Sequence, residues 1–490
     1  MKPLIIRADA GGRTGTGHIM RMIALAQGYL HRGGCAIIAT ASCPESVSTR
    51  IESSGIKHHA LTSEVPGSPE DATETIALAL ELDSPWLVLD GYQFDLQFQR
   101  SLRGHLFKVL CTDDHGYSDN WCCDAILNQN LNSEIWGNYP NEISESTLLL
   151  GSSFCLLREE FITQTQSEKT WGPLHRILIT LGGSDPNNAT ESVLNLLNKA
   201  AKSPLEIRVL VGPDNPHLDQ LKSLNTLHDI EFLTAVLDMP SQYDWADGVI
   251  SAGGSSCWEW LYFGLPGLVV TIAENQEPIV RELTRESIAL CPGWPAEWTN
   301  ANSLSQWLEA PEKLLDQDRA RSLIDGRGAD RVASAIEGSP CLIRNTDPVL
   351  DRQFTFDLVN DPTVRSAGYA TDEIPWQNHC DWLERHHMSP DSHLFIIETT
   401  DQNPTGLLRF HRAGKQWEIG IALTSDSRGR GYADHGIRLG MTELSVRHNI
   451  RHFLATIRPT NTSSKNLFTR LGFQFESRED ERETWTLDIK

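Results

Sequence analysis

Short apolar runs alternate with amphipathic stretches through the first two thirds of the chain. Leu4, Ile5 and Ile6 form the first run, and a glycine-rich turn and a helical stretch over 19–30 follow it. Further strands are predicted at 36–39, at 86–89 (ending at Asp90), at 107–111 and at 125–127. Strands that alternate with helices imply a mostly parallel sheet covered on both faces. The pattern then restarts. Residues 176–181 are an apolar strand running into Gly182, Gly183 and Ser184, a helix is predicted over 189–201, and strands follow at 207–211, 230–233 and 248–251. Beyond residue 340 the order changes. Strands at 393–398, 405–410 and 417–423 are joined by short turns, and a glycine-rich turn, a helix, a strand at 453–457 and a second helix come next. That order predicts a mixed α+β domain. The stretch 338–348, with two prolines and a glycine, reads as a linker. Three domains are expected, at 1–165, 166–338 and 339–490.

Composition narrows the class. A length of 490 residues exceeds one ordinary domain, and 40% hydrophobic with 22% charged residues is the balance of a globular chain with ample core. No stretch approaches the ~20 apolar residues of a membrane span. The first residues read as a strand, not a signal peptide, so a cytoplasmic enzyme with no membrane partner is expected. A net charge of −23 argues against nucleic acid, which requires a basic surface. The ten cysteines are scattered and are expected to be reduced, buried thiols. No metal is expected: Asp113, Asp114 and His115 are adjacent, and adjacent residues rarely converge on one ion.

Gly11 to Gly17 sit between the first strand and the first helix. Glycines there let backbone N–H groups approach an anionic ligand, and His18, just inside the helix, can accept a proton from water near neutral pH. A tight connection with a locally bonded histidine accounts for the same residues. The run Arg7-x-Asp9-x5-Gly15-x-Gly17-His18-x2-Arg21-x3-Leu25-Ala26 resembles the opening of the pseudaminic-acid pathway UDP-sugar hydrolases, relatives of the MurG-like glycosyltransferases with a GT-B fold. The resemblance implies two Rossmann-like domains, with His18 activating the water that displaces UDP. Asp9 is expected to orient the imidazole or a sugar hydroxyl, and Gly15 and Gly17 to line the UDP-sugar site.

In the second α/β unit, Gly183 and Ser184 end one strand and Gly253, Gly254, Ser255 and Ser256 end another, offering backbone donors with little bulk to a diphosphate. Glu259, just inside the following helix, can accept from ribose hydroxyls. Helix capping is the competing account of Ser255, Ser256 and Glu259. The run Gly253-Gly254-Ser255-x2-Trp258-Glu259, with Gly264-x-Pro266, resembles the UDP-binding signature of the same family. Asn275 and Gln276, in Ala273-Glu274-Asn275-Gln276, resemble its sugar-side segment. Asp90 and Tyr92, at a strand end, serve equally as site residues or turn formers.

Arg428, Gly429, Arg430, Gly431, Tyr432 and Ala433 follow a strand and open a helix. Successive N–H groups at such a start cradle a diphosphate; a basic surface turn is the alternative. The run resembles the R-x-x-G-x-G/A loop of GNAT acetyltransferases. Asn461-x2-Ser464-x3-Phe468-x3-Gly472-Phe473 resembles that superfamily's last helix. The resemblance implies acetyl-CoA as co-substrate, with Asn461 and Ser464 beside the pantetheine. Glu418 is the candidate base for the incoming amine, an outward-facing strand glutamate being the alternative. Phe468 stands where the family has a tyrosine acid, which leaves the general acid open.

The resembled pathway supplies a reason for the fusion. A UDP-4-amino sugar is N-acetylated, and the resulting UDP-2,4-diacetamido-2,4,6-trideoxy-β-L-altropyranose then loses UDP. Linking the sites raises the local concentration of the intermediate. The alternative is a GT-B glycosyltransferase fused to a GNAT domain that acetylates a protein or another amino sugar.

Overall fold

The computed structural model describes all residues except 1, 12–14, 115–120, 138, 140–145, 165–168, 183–184, 186, 213–214, 235, 296–297, 299–300, 370–371 and 490. The chain divides into two compact units, Met1–Leu30 with Gly34–Val332, and His31–Gly33 with Ala333–Lys490.

The first unit contains two parallel sheets. One is built from β1 (Pro3–Ala8), β2 (Cys35–Thr40), β3 (Lys57–Ala60), β4 (Trp86–Asp90), β5 (Lys108–Thr112), β6 (Ala125–Asn128) and β7 (Thr147–Leu150), in the order β3-β2-β1-β4-β5-β6-β7. The other holds β8 (Arg176–Thr180), β9 (Glu206–Val211), β10 (Asp229–Thr234), β11 (Gly248–Ala252), β12 (Gly267–Val270) and β13 (Ala289–Gly293), in the order β10-β9-β8-β11-β12-β13. Both therefore reverse strand order after their first strand, the arrangement in which ligands sit beyond the carboxyl ends of the strands. The central strands are covered on both faces, so β1, β4 and β11 carry unbroken apolar runs: Leu4, Ile5 and Ile6 are fully buried, as are Leu87 and Val88, and Val249 and Ile250.

The second unit is built on one mixed sheet. Its strands are β14 (Leu342–Asn345), β15 (Ser392–Glu398), β16 (Pro404–Ala413), β17 (Gln416–Leu423), β18 (His452–Ile457), β19 (Gln474–Glu479) and β20 (Arg482–Asp488), ordered β14-β15-β16-β17-β18-β20-β19. All pairs are antiparallel except β17 with β18, which is parallel. The stretch read as a linker thus contains β14, paired with β15, because Leu342 and Ile343 bring an apolar pair to the sheet edge. One face packs on the helix Tyr432–His448 through Phe395, Leu408, Phe410, Phe453 and Ile437.

Candidate active sites

His18 is the second residue of the helix Gly17–His31, whose N-terminus faces the carboxyl ends of β1 and β4. Asp90 closes β4 and is fully buried. Its Oδ1 lies 2.7 Å from His18 Nδ1 and also accepts from Thr112 Oγ1 at 2.6 Å. Arg21, one helical turn beyond His18, grips both oxygens of Asp90 and both of Asp114. A carboxylate facing Nδ1 selects the tautomer with its proton there, and leaves the Nε2 lone pair as the acceptor.

The charges set the titration. Burial pushes the Asp90 carboxyl up, but the Arg21 guanidinium and His18 outweigh it and hold it well below the usual range. Burial lowers the His18 pKa, yet the Asp90 charge, helped by Asp114, outweighs burial and raises it above the ordinary 6.5. Tyr92 packs edge-on to His18, with ring centroids 5.3 Å apart, and its hydroxyl donates to Asp114 at 3.1 Å. Burial, reinforced by that carboxylate, keeps the phenol protonated to high pH.

Asp9 is engaged elsewhere. Its Oδ1 accepts from the backbone N–H of Ala41 and Ser42 at 2.8 and 2.9 Å and lies 2.8 Å from Arg7 Nη1, and its Oδ2 accepts from Gln93. The partner of the imidazole is Asp90, not Asp9, because the helix start turns His18 toward the end of β4 while Asp9 pins the β2 loop. Arg21, Thr112 and Asp114 complete the site beside Asp90. The sequence signals for them are the three-residue spacing of Arg21 from His18 and the polar residues that end and follow the apolar run of β5.

The second sheet reaches the same place. A Cβ on Gly17 would lie 3.9 Å from Ser255 Oγ, and the Asn275 side chain hydrogen-bonds with Tyr92. Gly15 has φ +68° with open space where a side chain would be, and Gly254 is equally open. Gly253 is tighter: its Cβ would come within 2.8 Å of Val280. Ser255 is exposed and makes no side-chain cap bond to the helix Ser256–Tyr262, and Ser256 is half-buried. Glu259 accepts from Tyr243 at 3.0 Å and from Arg158 at 3.3 Å, and burial pushes its carboxyl up. Asn275 is exposed, whereas Gln276 turns its Oε1 to the backbone N–H of Ile272 at 3.0 Å. Gly183 and Ser184 lie outside the described residues. His115 does too; Asp113 accepts from Tyr139 at 2.7 Å and Asp114 is committed to Arg21.

In the second unit β17 and β18 pair only at Trp417–Phe453 and Glu418–Leu454, although β17 runs on to Leu423 and β18 to Ile457. The sheet therefore forks beyond Glu418. A fork exposes backbone N–H and C=O groups that no neighbouring strand satisfies, and these can pair with an extended ligand. Glu418 is opposite His411, and Gly420 opposite Arg409, so the four share one face. The Arg409 guanidinium presses on β17, where a Cβ at Gly420 would approach its Nη2 to 2.8 Å. Burial lowers the Arg409 pKa, partly offset by the Glu418 charge.

The loop after β17 carries Gly429 at φ +76° and Gly431 at φ +85°, left-handed positions that favour glycine, and Gly431 caps the helix Tyr432–His448. Residues 428–431 are exposed, and Tyr432 and Ala433 half-buried. Arg428 folds back to donate to the Leu423 carbonyl at 3.0 Å and to pair with Asp361 at 3.3 Å. Asn461 accepts from Ser464 N at 3.0 Å and so caps the last helix, Thr462–Arg470. Phe468 is buried against Phe473 and holds no hydroxyl toward the fork.

Comparison with known proteins follows these divisions. Residues 176–289 match the glycosyltransferase family 28 C-terminal domain, and residues 342–474 match the acetyltransferase (GNAT) domain. The first unit has the fold of MurG from Acinetobacter baumannii, with a TM-score of 0.50 at 16% identity over 69% of this chain and 100% of that one. The fold and the domain matches thus define a GT-B pair of Rossmann-like domains followed by a GNAT domain, and they support a bifunctional sugar-modifying enzyme.

The whole chain is similar, at 23% identity and over 100% of both proteins, to an uncharacterized protein of Methanocaldococcus jannaschii. It is 24% identical to the spore coat polysaccharide biosynthesis protein SpsG of Bacillus subtilis, over 68% of this chain and 97% of that protein. It is likewise 24% identical to the UDP-2,4-diacetamido-2,4,6-trideoxy-beta-L-altropyranose hydrolase of Campylobacter jejuni, over 46% of this chain and 75% of the hydrolase. Among the described residues no helix is long and apolar enough to cross a membrane, and no cluster of side chains is set to hold a metal ion.

Proposed function

We propose that the chain N-acetylates a UDP-4-amino sugar from acetyl-CoA and then hydrolyses the UDP-2,4-diacetamido-2,4,6-trideoxy-β-L-altropyranose so formed, within nonulosonate biosynthesis. The observation that carries the hydrolytic step is the 2.7 Å contact between His18 Nδ1 and the buried Asp90, beside Ser255 and Asn275 of the second sheet. The similarity to the Campylobacter hydrolase supports the substrate.

In this reading His18 Nε2 takes a proton from water as the water oxygen attacks C1. The bond from C1 to the UDP oxygen breaks, UDP leaves with its electron pair, and the configuration at C1 inverts. Asp90 positions the imidazole and stabilises the imidazolium. Gly15, Gly17, Gly183, Ser184, Gly254, Ser255 and Ser256 line the UDP side, Glu259 holds the ribose, and Asn275 and Gln276 meet the sugar. In the second unit Glu418 takes the proton of the attacking amine. The amine nitrogen bonds to the thioester carbonyl, and CoA leaves as a thiolate that water protonates. Gly429 to Ala433 hold the CoA diphosphate, with Arg428 and Arg430 supplying charge, and Asn461 and Ser464 flank the pantetheine.

The test of the hydrolytic half is the pH dependence of UDP release from the diacetamido sugar nucleotide, with no acceptor added. The base form of His18 is required, so the rate should climb with pH through an inflection above 6.5, the ordinary histidine value from which Asp90 raises it. The same interaction favours the folded state at low pH, and its contribution is lost as pH rises through the folded pKa. A rate that is flat across that range, or that requires a sugar acceptor, contradicts the reading. For the acetylating half, Glu418→Gln should lower kcat by roughly 10²- to 10⁴-fold with the KM for acetyl-CoA unchanged. An unaltered kcat would remove Glu418 from the mechanism.

A further inference from the structure

On the forked sheet's Glu418 face, Tyr369 gathers two cations. The Arg458 guanidinium lies 5.4 Å, and that of Arg482 4.8 Å, from the centre of its ring. Tyr369 follows the helix Pro362–Ala367, Arg458 follows β18, and Arg482 begins β20, so three separate elements deliver the cluster. The Tyr369 hydroxyl donates to the Glu481 carbonyl at 3.4 Å and ties the segment after the helix Pro362–Ala367 to the β19–β20 turn.

None of these cations has a carboxylate within ion-pair distance among the described residues, in a chain of net charge −23 whose other arginines are largely paired. Arg458 donates Nη1 to the Ser366 carbonyl at 3.3 Å, and its Nε is shielded with no partner. Arg365, on the helix Pro362–Ala367, is in the same condition: Nη2 donates to the Asp372 carbonyl, and Nε is shielded and unpartnered. The carboxylates whose charge reaches Tyr369 are Glu418 and Glu481.

Two guanidiniums held against one ring repel each other, and a shielded donor without an acceptor costs free energy. A bound anion offsets the repulsion between the guanidiniums. The planar N–H edges of two arginines match the spaced oxygens of a diphosphate better than a single carboxylate. Tyr369 is 39% exposed, so the cluster is open to solvent. Glu418 is opposite Leu454, four residues before Arg458 and so on the same face of the sheet, which turns an amine borne on the anion toward the candidate base.

We infer that Tyr369, Arg458 and Arg482, with Arg365 behind them, form a binding site for the nucleoside diphosphate that carries the amine to be acetylated. The inference rests on the reading of the second unit as a UDP-amino-sugar acetyltransferase and adds the residues that select such an acceptor. The glycine loop at 428–433 serves the CoA diphosphate, so the two sites hold different anions.

Hydrogen exchange on the full-length protein, with UDP or CoA as probe, resolves the sites. UDP should slow exchange across 362–369 and 479–485 as well as 252–260. In Arg458→Ala/Arg482→Ala the first two protections should vanish while protection of 252–260 by UDP, and of 429–433 by CoA, persists and reports an intact fold. In acetylation the double variant should raise the KM for the UDP-amino sugar roughly 10- to 100-fold and leave that for acetyl-CoA alone. UDP protection confined to 252–260, protection of 362–369 by CoA instead, or protection unchanged in the variant overturns the inference and leaves the proposed function standing. Acetylation failing with UDP-amino sugars while UDP still protects 362–369 sinks the proposed reaction but not the site.

Discussion

Replacing His18 with alanine should reduce UDP release by roughly 10²- to 10⁴-fold, the contribution of a positioned general base, and leave acetyl transfer untouched. The imidazole is partly buried, and among the described residues its Nδ1 alone is bonded to a carboxylate, that of Asp90. Truncation removes the proton acceptor without stripping the fold of a large apolar contact. The variant should therefore keep its melting temperature nearly unchanged and accumulate the acetylated UDP-sugar. Mass spectrometry of a reaction with acetyl-CoA reads both halves at once. UDP release at the wild-type rate would assign the water-activating role elsewhere.

Asp90→Asn should act through His18 and also through the fold. Losing the carboxylate lets Nδ1 exist unprotonated, so the wrong tautomer can face the substrate, at a cost of up to about 10⁴-fold in rate where such a pair has been broken by the same change. The variant also strips the main charge that raises the His18 pKa, leaving burial and the Arg21 charge to lower it against the Asp114 charge alone. The inflection of the pH profile should move to lower pH, which a purely structural role for Asp90 would not produce. Arg21 keeps Asp114 but loses two of its charge-assisted bonds. Stability should fall by an amount near the lower end of the ~3–5 kcal/mol typical of a broken buried pair. Urea unfolding followed beside the kinetics separates the two effects. An unchanged inflection with lowered stability alone would make Asp90 a scaffold residue.

The parts of the fold legible in the sequence are those that burial dictates. Strands covered on both faces carry apolar runs, and β1, β4, β8 and β11 announce themselves as runs such as Leu4-Ile5-Ile6 and Trp86-Leu87-Val88-Leu89. Edge strands carry no such signal. Lys57-His58-His59-Ala60 forms β3 with three of its four residues exposed or nearly so, and Gln474 to Glu479 forms β19 with every residue exposed. Their hydrogen bonds come from the neighbouring strand, not from any pattern of their own. β14 hides within a stretch whose prolines, Pro340 and Pro348, flank it rather than interrupt it.

The candidate site divides in the same way. Glycines at required backbone angles and a histidine at a helix start stand out locally, so His18, Gly15, Gly429 and Gly431 could be named from spacing. That Asp90 and Asp114 meet His18 could not, because both are distant in sequence and reach it only when β4 pairs with β1 and β5 with β4. Asp9 is the nearer carboxylate along the chain, but it bonds the loop after β2 while Asp90 meets the imidazole. On the acetyltransferase side the fork beyond Glu418 is a property of register, and no residue type encodes it.

The most direct test of the account incubates the purified full-length protein with UDP-4-amino-4,6-dideoxy-β-L-AltNAc, with and without acetyl-CoA, and follows products by mass spectrometry and proton NMR. Free CoA, free UDP and the 2,4-diacetamido sugar should form together when acetyl-CoA is present, with UDP release depending on acetylation. UDP released at the same rate without acetyl-CoA, or acetylation with no UDP release at all, would contradict it.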